Sequence, residues 1–345
     1  MTDRDNRWAL VLAAGDGRRL QGLTQTATGT VVPKQFCSLN GGLSFLEETV
    51  QRAQSVVPRE RICAVVASGH VRHWSRLLES MPLTNIISQP RNRGTAIGIL
   101  LPLLHIMQRD PHARILLLPS DHHIRSEARL AAALQAAMTP DRSSEADIVL
   151  LGIEPDHADP ELGYIVPERT GSGSLSGVSR FVEKPSAAEA RELIREGALW
   201  NAFIIAADAA ALLRLFERRC PDVVAKIRRL IQLERHDDRP AGSLTELYED
   251  LPDLDFSRGI LQGQEQYLRV LAVPECGWSD LGTPDRVAAA LRDLEDFAPA
   301  ATPVVKSRAP LNLAAQHRLL RSPIARPAAS SGPQTLAWSA ASQHR

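Results

Sequence analysis

The chain has 345 residues, of which 44% are hydrophobic and 23% charged, as in ordinary globular proteins. Its length suits two average domains or one large α/β domain with additions. The 40 basic and 40 acidic side chains balance, but residues 297–345 hold six basic residues and no Asp or Glu, so residues 1–296 carry a net charge of −6. A negative body with 4% aromatic residues repels nucleic acid and offers few stacking surfaces, so nucleic-acid binding is not expected.

No apolar run reaches the 18 residues that indicate a membrane-spanning helix, so a membrane partner is not expected either. The apolar run near Met1 is too short for a signal peptide, which predicts a cytoplasmic protein. The cysteines lie far apart, without CxxC or zinc-site spacing, and are expected to be reduced thiols. They are Cys37, Cys63, Cys220 and Cys276.

Over the first two thirds of the chain, short β-branched runs alternate with helical patterns. This alternation predicts an α/β fold, a Rossmann-like mixed and mainly parallel sheet flanked by helices. The predicted strands are 8–13, 62–67, 85–88, 114–118, 147–151, 163–166, 177–183, 201–206 and 268–273. The predicted helices are 45–56, 70–80, 95–109, 127–138, 187–196 and 284–294. Ser186 and Thr283 suit the N-caps of the last two helices, and 95–109 is apolar enough to be a core helix.

Composition changes after residue 296. Residues 297–345 hold six prolines and twelve alanines besides their basic residues, which predicts a mostly disordered Ala/Pro-rich basic tail. The expected organisation is therefore one catalytic domain over residues 1–296, followed by this tail over residues 297–345.

A glycine-rich turn, AAGDGRRL over residues 13–20, directly follows the first predicted strand. It is not a dinucleotide fingerprint, which would need Gly at position 20, and no Walker A string occurs in the chain. Gly15 and Gly17 would still let backbone amides approach phosphates, and Arg19 would neutralise their charge. An ordinary tight turn between strand and helix is the alternative, and this stretch alone does not exclude it.

Residues 33–36 read PKQF, and together with the turn they resemble the GxGxR…PKQF signature of the sugar-phosphate nucleotidyltransferases, or sugar-nucleotide pyrophosphorylases. The likeness is strongest to their mannose-1-phosphate guanylyltransferase branch. It implies a nucleotide diphospho-sugar transferase type of fold, in which Arg19 and Lys34 act in catalysis. The nucleotide-binding residues it implies here are Ala14, Gly15, Gly17, Arg19 and Lys34. Two departures are Gln21, where the family usually has Pro, and a stretch between Gly17 and Lys34 that is a few residues longer.

Two further strings follow predicted strands. The resemblance implies that residues 89–96, QPRNRGTA, recognise the nucleobase, with Gln89, Gly94 and Thr95 as nucleotide-binding residues. The alternative is a loop that caps a core helix. PSDHH over residues 119–123 sits where ligands of parallel sheets bind, beyond the carboxyl end of a strand. A carboxylate there suits Mg²⁺, and the resemblance implies that Asp121 is both catalytic and a metal ligand. The adjacent His122 and His123 would point opposite ways, as structural or solvent-facing residues.

The sugar side of the resemblance lies in three later strings, around Gly163, in FVEKP over residues 181–185 and in WNAF over residues 200–203. Ala202 stands where Ser is commoner. The sugar phosphate-binding residues that the resemblance implies are Gly163, Glu183, Lys184 and Asn201. WSDLGTP over residues 278–284 resembles the family's WxDxGT segment, which implies that Asp280 is the second metal ligand; the alternative is a turn residue before a capped helix.

The resemblance implies a Mg²⁺-dependent transfer that joins a sugar 1-phosphate to a nucleoside triphosphate and releases pyrophosphate. Mannose 1-phosphate and GTP are the expected pair, as in GDP-mannose biosynthesis. Two alternatives remain open at this point, a glucose-1-phosphate uridylyl- or thymidylyltransferase and a non-catalytic paralogue that binds a sugar nucleotide. The two substrates are the partners that the sequence implies; a homodimer is compatible with it.

Overall fold

The computed structural model describes residues 6–17, 20–25, 31–139, 148–168, 175–235 and 243–296. The predicted tail lies outside these residues. The described strands are β1 (Arg7–Ala13), β2 (Ile62–Ala67), β3 (Ile86–Gln89), β4 (Arg114–Pro119), β5 (His123–Ile124), β6 (Ile148–Ile153), β7 (Gly163–Pro167), β8 (Leu175–Glu183), β9 (Leu199–Asp208), β10 (Leu268–Val273) and β11 (Trp278–Ser279). The α-helices are α1 (Gln21–Thr24), α2 (Phe45–Gln54), α3 (Val71–Trp74), α4 (Gly94–Arg109), α5 (Glu127–Ala137), α6 (Ala187–Arg195), α7 (Ala209–Arg219), α8 (Pro221–Arg235), α9 (Ser243–Asp250) and α10 (Pro284–Asp296).

Nine strands form one sheet in the order β3-β2-β1-β4-β9-β6-β10-β8-β7, and β7 also pairs with β9. The expectation of a mainly parallel sheet was wrong. Among the described strands of this sheet, four pairings are parallel and five are antiparallel. A connection between two parallel neighbouring strands needs a crossover of a dozen or more residues, usually a helix. Between β6 and β9 the structure describes the strands β7 and β8 and a single α-helix, α6. The strands there pair antiparallel, and β9 runs antiparallel to both β4 and β6.

Helices cover both faces of the sheet, because successive side chains of a strand point to opposite sides. Along β1, Trp8 and Leu10 enter the core that contains α4 and α7. Ala9 and Val11 enter the core that contains α2 and α5. The strands β2, β4 and β6 are therefore buried along almost their whole length, as expected for strands covered on both faces.

Helix α4 is the core helix that its composition predicted, since ten of its sixteen residues are buried. Both predicted N-caps are present, because Ser186 Oγ accepts from the Glu189 amide and Thr283 Oγ1 from the Arg286 amide. The helix predicted over 70–80 was wrong, since α3 ends at Trp74. Beyond Trp74 the backbone hydrogen bonds change from a four-residue to the tighter three-residue spacing of Glu79 to Arg76, and the Trp74 indole donates back to Ala67 O. No helix among the described residues combines the length and hydropathy needed to cross a bilayer.

Candidate functional site

A cleft of about 330 Å³ opens at the carboxyl ends of β1, β3 and β4, where ligands of open α/β sheets bind. Most of the predicted site residues line it. They are Ala14, Gly15, Gly17, Gln89, Gly94, Thr95, Asp121, Gly163, Glu183, Asn201 and Asp280. Residues from strings that are far apart in the chain therefore line one shared cleft. Arg19, the remaining residue of the turn, lies outside the described residues.

The glycine-rich turn is held by the segment after it. The Gln35 side chain donates to Ala13 O at 3.0 Å and to Gly15 O at 2.8 Å. Gly17 has a φ of +63°, and a Cβ there would lie 2.9 Å from the Lys34 amide nitrogen. Only glycine fits this conformation and this approach without strain. The PKQF string therefore supports the turn directly, a role for Gln35 that the sequence analysis did not assign.

Lys34 joins the two sides of the cleft and is 5% exposed. Its ammonium donates to Asp280 O at 2.5 Å and to Leu281 O at 3.4 Å, and it lies 3.0 Å from Asp121 Oδ2. Lys34 thus contacts the carboxylate of Asp121 and the backbone carbonyl of Asp280. The contacts make Lys34 a strut across the cleft floor as well as its positive charge.

Asp121 is half-exposed, with 40% of its side chain accessible. Partial burial raises the pKa of its carboxyl, but the charge and the hydrogen bond of the Lys34 ammonium act in the opposite direction, and the net effect is a lowered pKa. His122 lines the cleft and accepts from the Trp278 indole at Nδ1, 3.1 Å away. Burial lowers the pKa of His122 to about 4, so its ring is neutral. His123 faces a different cavity, in agreement with the expectation that the two rings point apart.

Asp280 follows β11 and is held through its side chain as well as its backbone. Its Oδ1 accepts from the Gly282 amide at 3.1 Å and from Arg286 at 2.5 Å. Arg286 also pairs with Asp159. Neither Arg286 nor Asp159 was singled out from sequence, because no string marks a contact between residues so far apart in the chain.

Gln89, Gly94 and Thr95 form the wall beside α4. Gln89 is 2% exposed, and no atom of the described residues lies within ordinary hydrogen-bond geometry of its buried Nε2. Gly94, with a φ of +80°, lies against the backbone of Leu254, where a Cβ would approach the carbonyl oxygen to 2.3 Å. The Leu254 carbonyl accepts from the Ala96 amide, so the start of α4 is tied to this distant segment.

Gly163, Glu183 and Asn201 form the opposite wall. Gly163 packs so closely on Glu183 that a Cβ would lie 2.6 Å from its Oε2. Burial, followed by the negative charge of Asp255, raises the pKa of Glu183. Lys184 is half-buried and is not among the side chains that line the cleft.

Backbone strain is concentrated around this cleft. Among the described residues, the non-glycine residues with positive φ are Lys184, Phe203 and Leu281, at +52°, +55° and +47°. Each follows or neighbours a candidate ligand, and the Phe203 amide donates to Asn201 Oδ1. Such conformations persist where the surrounding structure holds them, and they cluster at functional sites.

The donor set suits Mg²⁺. This cation takes one or two carboxylates and completes its shell with phosphate oxygens and water. Asp121 and Asp280 supply two carboxylates beside one cleft. Among the described residues no group of three or more His, Cys, Asp or Glu side chains forms a metal site, so a metal that relied on protein ligands alone would find too few.

Comparison with known proteins identifies relatives over most of the chain. The nucleotidyl transferase family model matches residues 8–296. Mannose-1-phosphate guanylyltransferase 2 of Escherichia coli O157:H7 is 29% identical over 289 residues, which cover 80% of this chain and 58% of that protein. A mannose-1-phosphate guanylyltransferase of Escherichia coli is 24% identical over 286 residues, covering 79% of this chain and 59% of that protein. The chain thus spans less than two thirds of the length of these curated relatives.

A crystal structure described as mannose-1-phosphate geranyltransferase from Thermus thermophilus is similar in fold. It superposes with a TM-score of 0.68 at 30% identity, covering 80% of this chain and 76% of that one.

Proposed function

Because the chain belongs to the nucleotidyl transferase family, we propose that it joins a sugar 1-phosphate to a nucleoside triphosphate and releases pyrophosphate. Mannose 1-phosphate and GTP are the proposed substrates, since the relatives described above carry that activity in their names. The observation that carries the proposal is the cleft itself. Asp121 and Asp280 both line it, and Lys34 contacts the Asp121 carboxylate and the Asp280 backbone carbonyl. Gln89 lines the same cleft on one wall and Glu183 on another.

In the proposed reaction an oxygen of the sugar phosphate attacks the α-phosphorus of the triphosphate. A new P–O bond forms as the bond between the α-phosphorus and the bridging oxygen breaks, and pyrophosphate leaves with that oxygen. The step needs no protein nucleophile, so catalysis rests on positioning and charge neutralisation. The four cysteines fit this picture, because three are buried and burial raises the pKa of every thiol.

The chain's own residues divide this work between them. The turn with Gly15 and Gly17 offers backbone amides to the triphosphate, and Arg19 and Lys34 offset the charge that grows on the leaving pyrophosphate. Mg²⁺ bound by Asp121 and Asp280 would neutralise charge on the phosphate oxygens.

Two further groups would select the substrates. Gln89 suits recognition of a nucleobase edge, because its buried amide still has hydrogen-bonding capacity to offer. Gly163, Glu183 and Asn201 suit a hydroxyl-rich sugar, and Lys184 would join them at the sugar phosphate.

The test is pyrophosphate release by the purified protein with Mg²⁺, over a grid of GTP, UTP and dTTP against mannose 1-phosphate and glucose 1-phosphate. Release with GTP and mannose 1-phosphate alone is the expected result. Release with a different pair would keep the reaction and correct the substrates. No release with any pair, from folded protein that still binds nucleotide, would contradict the proposal and favour the non-catalytic paralogue.

A further inference from the structure

Arg286 connects the candidate metal ligand Asp280 to a second, more deeply fixed carboxylate. One end of its guanidinium contacts Asp280 Oδ1 at 2.5 Å, and the other end pairs with Asp159 Oδ2. All three side chains are at most 16% exposed. An arginine shared between two carboxylates presents its donors in a planar fork, which fixes direction as well as charge.

The far end of this arrangement is rigid. Asp159 is 8% exposed, and its Oδ1 accepts from the Glu161 amide at 2.8 Å. Its backbone amide donates to the Tyr164 hydroxyl at 2.9 Å, and that hydroxyl donates back to the Asp159 carbonyl at 3.1 Å. Arg286 itself lies in the first turn of α10, behind the Thr283 cap. The fold therefore fixes the position of the Arg286 guanidinium, which does not move with the Asp280 side chain.

The backbone leaves room for this pair at one glycine. A Cβ on Gly282 would lie 2.5 Å from Asp280 Oδ2 and 2.9 Å from the Arg286 guanidinium. The Gly282 amide also donates to the same Oδ1 that Arg286 contacts. The loop after β11 is thus shaped around the contact between Asp280 and Arg286.

We infer that Arg286 is a positioning residue for the nucleotidyl transfer, which holds the Asp280 carboxylate in one orientation and offsets part of its charge. The inference rests on the proposed function. Groups in this position commonly set the affinity and activity of a metal site, and their loss costs about 10–100-fold in one or the other. Partial neutralisation also weakens capture of a bare cation, so the metal would arrive together with the triphosphate.

The test compares Arg286→Gln with Arg292→Gln, which removes an exposed arginine from the same helix. We expect Arg286→Gln to lower kcat about 10–100-fold, with KM for the triphosphate nearly unchanged. The second readout is Mn²⁺ binding to the nucleotide-free protein, followed by electron paramagnetic resonance. It should become tighter in Arg286→Gln, since Asp159 and Asp280 lose their shared cation, and should not change in Arg292→Gln. A purely structural role would not tighten cation binding.

Two further variants keep the test decisive if Arg286→Gln unfolds. Gly282→Ala displaces Asp280 without altering charge, and should lower kcat while the melting temperature changes little, because the side chain can rotate away. Arg286→Lys keeps the charge and should recover part of kcat. Wild-type kcat and wild-type Mn²⁺ affinity in Arg286→Gln, or in these variants, would overturn the inference. Wild-type turnover and Asp280→Asn separate the two levels. If the wild type releases no pyrophosphate with any substrate pair, the proposed function itself fails. If the wild type is active and only Asp280→Asn is impaired, the role of Arg286 alone is wrong.

Discussion

Replacing Lys34 by Met tests the strut across the cleft floor. Methionine keeps the length and the apolar stem of the side chain but removes the ammonium. That ammonium is buried, and it supports the Asp280 and Leu281 carbonyls as well as Asp121. The substitution therefore releases the loop after β11 from the segment that holds the glycine-rich turn.

The expected loss of stability follows from the three contacts. A hydrogen bond from a charged donor contributes about 1.5–3 kcal/mol, and the contact of 2.5 Å with Asp280 O counts in full. The contact of 3.4 Å with Leu281 O adds little. The ion pair with Asp121 adds at most about 1 kcal/mol, because that side chain is 40% exposed. The loss is then about 1.5–4 kcal/mol, or a fall in Tm of about 3–8 °C at roughly 2 °C per kcal/mol for a chain of this size.

The assay is thermal unfolding followed by circular dichroism. Lys226→Met is the matched control, because Lys226 is exposed on α8 and its loss should change stability by less than about 0.5 kcal/mol. If Lys34→Met melts at the same temperature as Lys226→Met, the reading of Lys34 as a strut is refuted.

The effect should also depend on pH. Because the folded pKa of Asp121 is lowered, its ionisation stabilises the fold above its ordinary value of 3.8. This contribution is lost as the pH falls through the lowered folded value. The difference in Tm between the wild type and Lys34→Met is therefore expected to be complete at pH 7 and to shrink below that ordinary value.

Four other substitutions have definite expected outcomes. Asp121→Asn and Asp280→Asn should each lower turnover at least ~100-fold while circular dichroism spectra stay unchanged; near-wild-type rates in both would contradict the metal assignment. Gly94→Ala should destabilise the fold by about 2 kcal/mol or more, because the new Cβ would clash with Leu254 O. It should also raise KM for the triphosphate more than KM for the sugar phosphate. An unchanged Tm would show that the Leu254 backbone moves away without cost. Since the folded pKa of Glu183 is raised, the fold loses stability as the pH rises above the ordinary value of 4.5. Glu183→Gln should therefore gain Tm relative to the wild type as the pH rises above that ordinary value, and a constant difference would speak against the raised pKa.

Local patterns predicted most of the elements that position the site. The strand Ile62–Ala67 and the strand Leu268–Val273 have the predicted bounds, because each is a short apolar run between clear breakers. The path of β9 could not be predicted in this way. Its apolar sequence suits a strand buried on both faces whatever the direction of its neighbours, so periodicity does not distinguish parallel from antiparallel pairing.

The candidate site was predicted where a short string carries both the turn and the ligand, as at Gly15 and Asp121. It was missed where a side chain from another part of the chain completes the geometry. Arg286 meets Asp159 across 127 positions, and in sequence Arg286 is one of many arginines on an amphipathic helix. Such a contact depends on how α10 docks, which is a property of the whole fold.

The close approach of Gly17 to Lys34 bears on how such a chain can change its length. The two backbones approach closely at this point, so the chain segment between them begins and ends at nearly the same place. The closure entropy of a flexible segment grows slowly with its length, by only about 0.6 kcal/mol for each doubling. Insertions between Gly17 and Lys34 are therefore expected to have a small thermodynamic cost as long as this contact is kept.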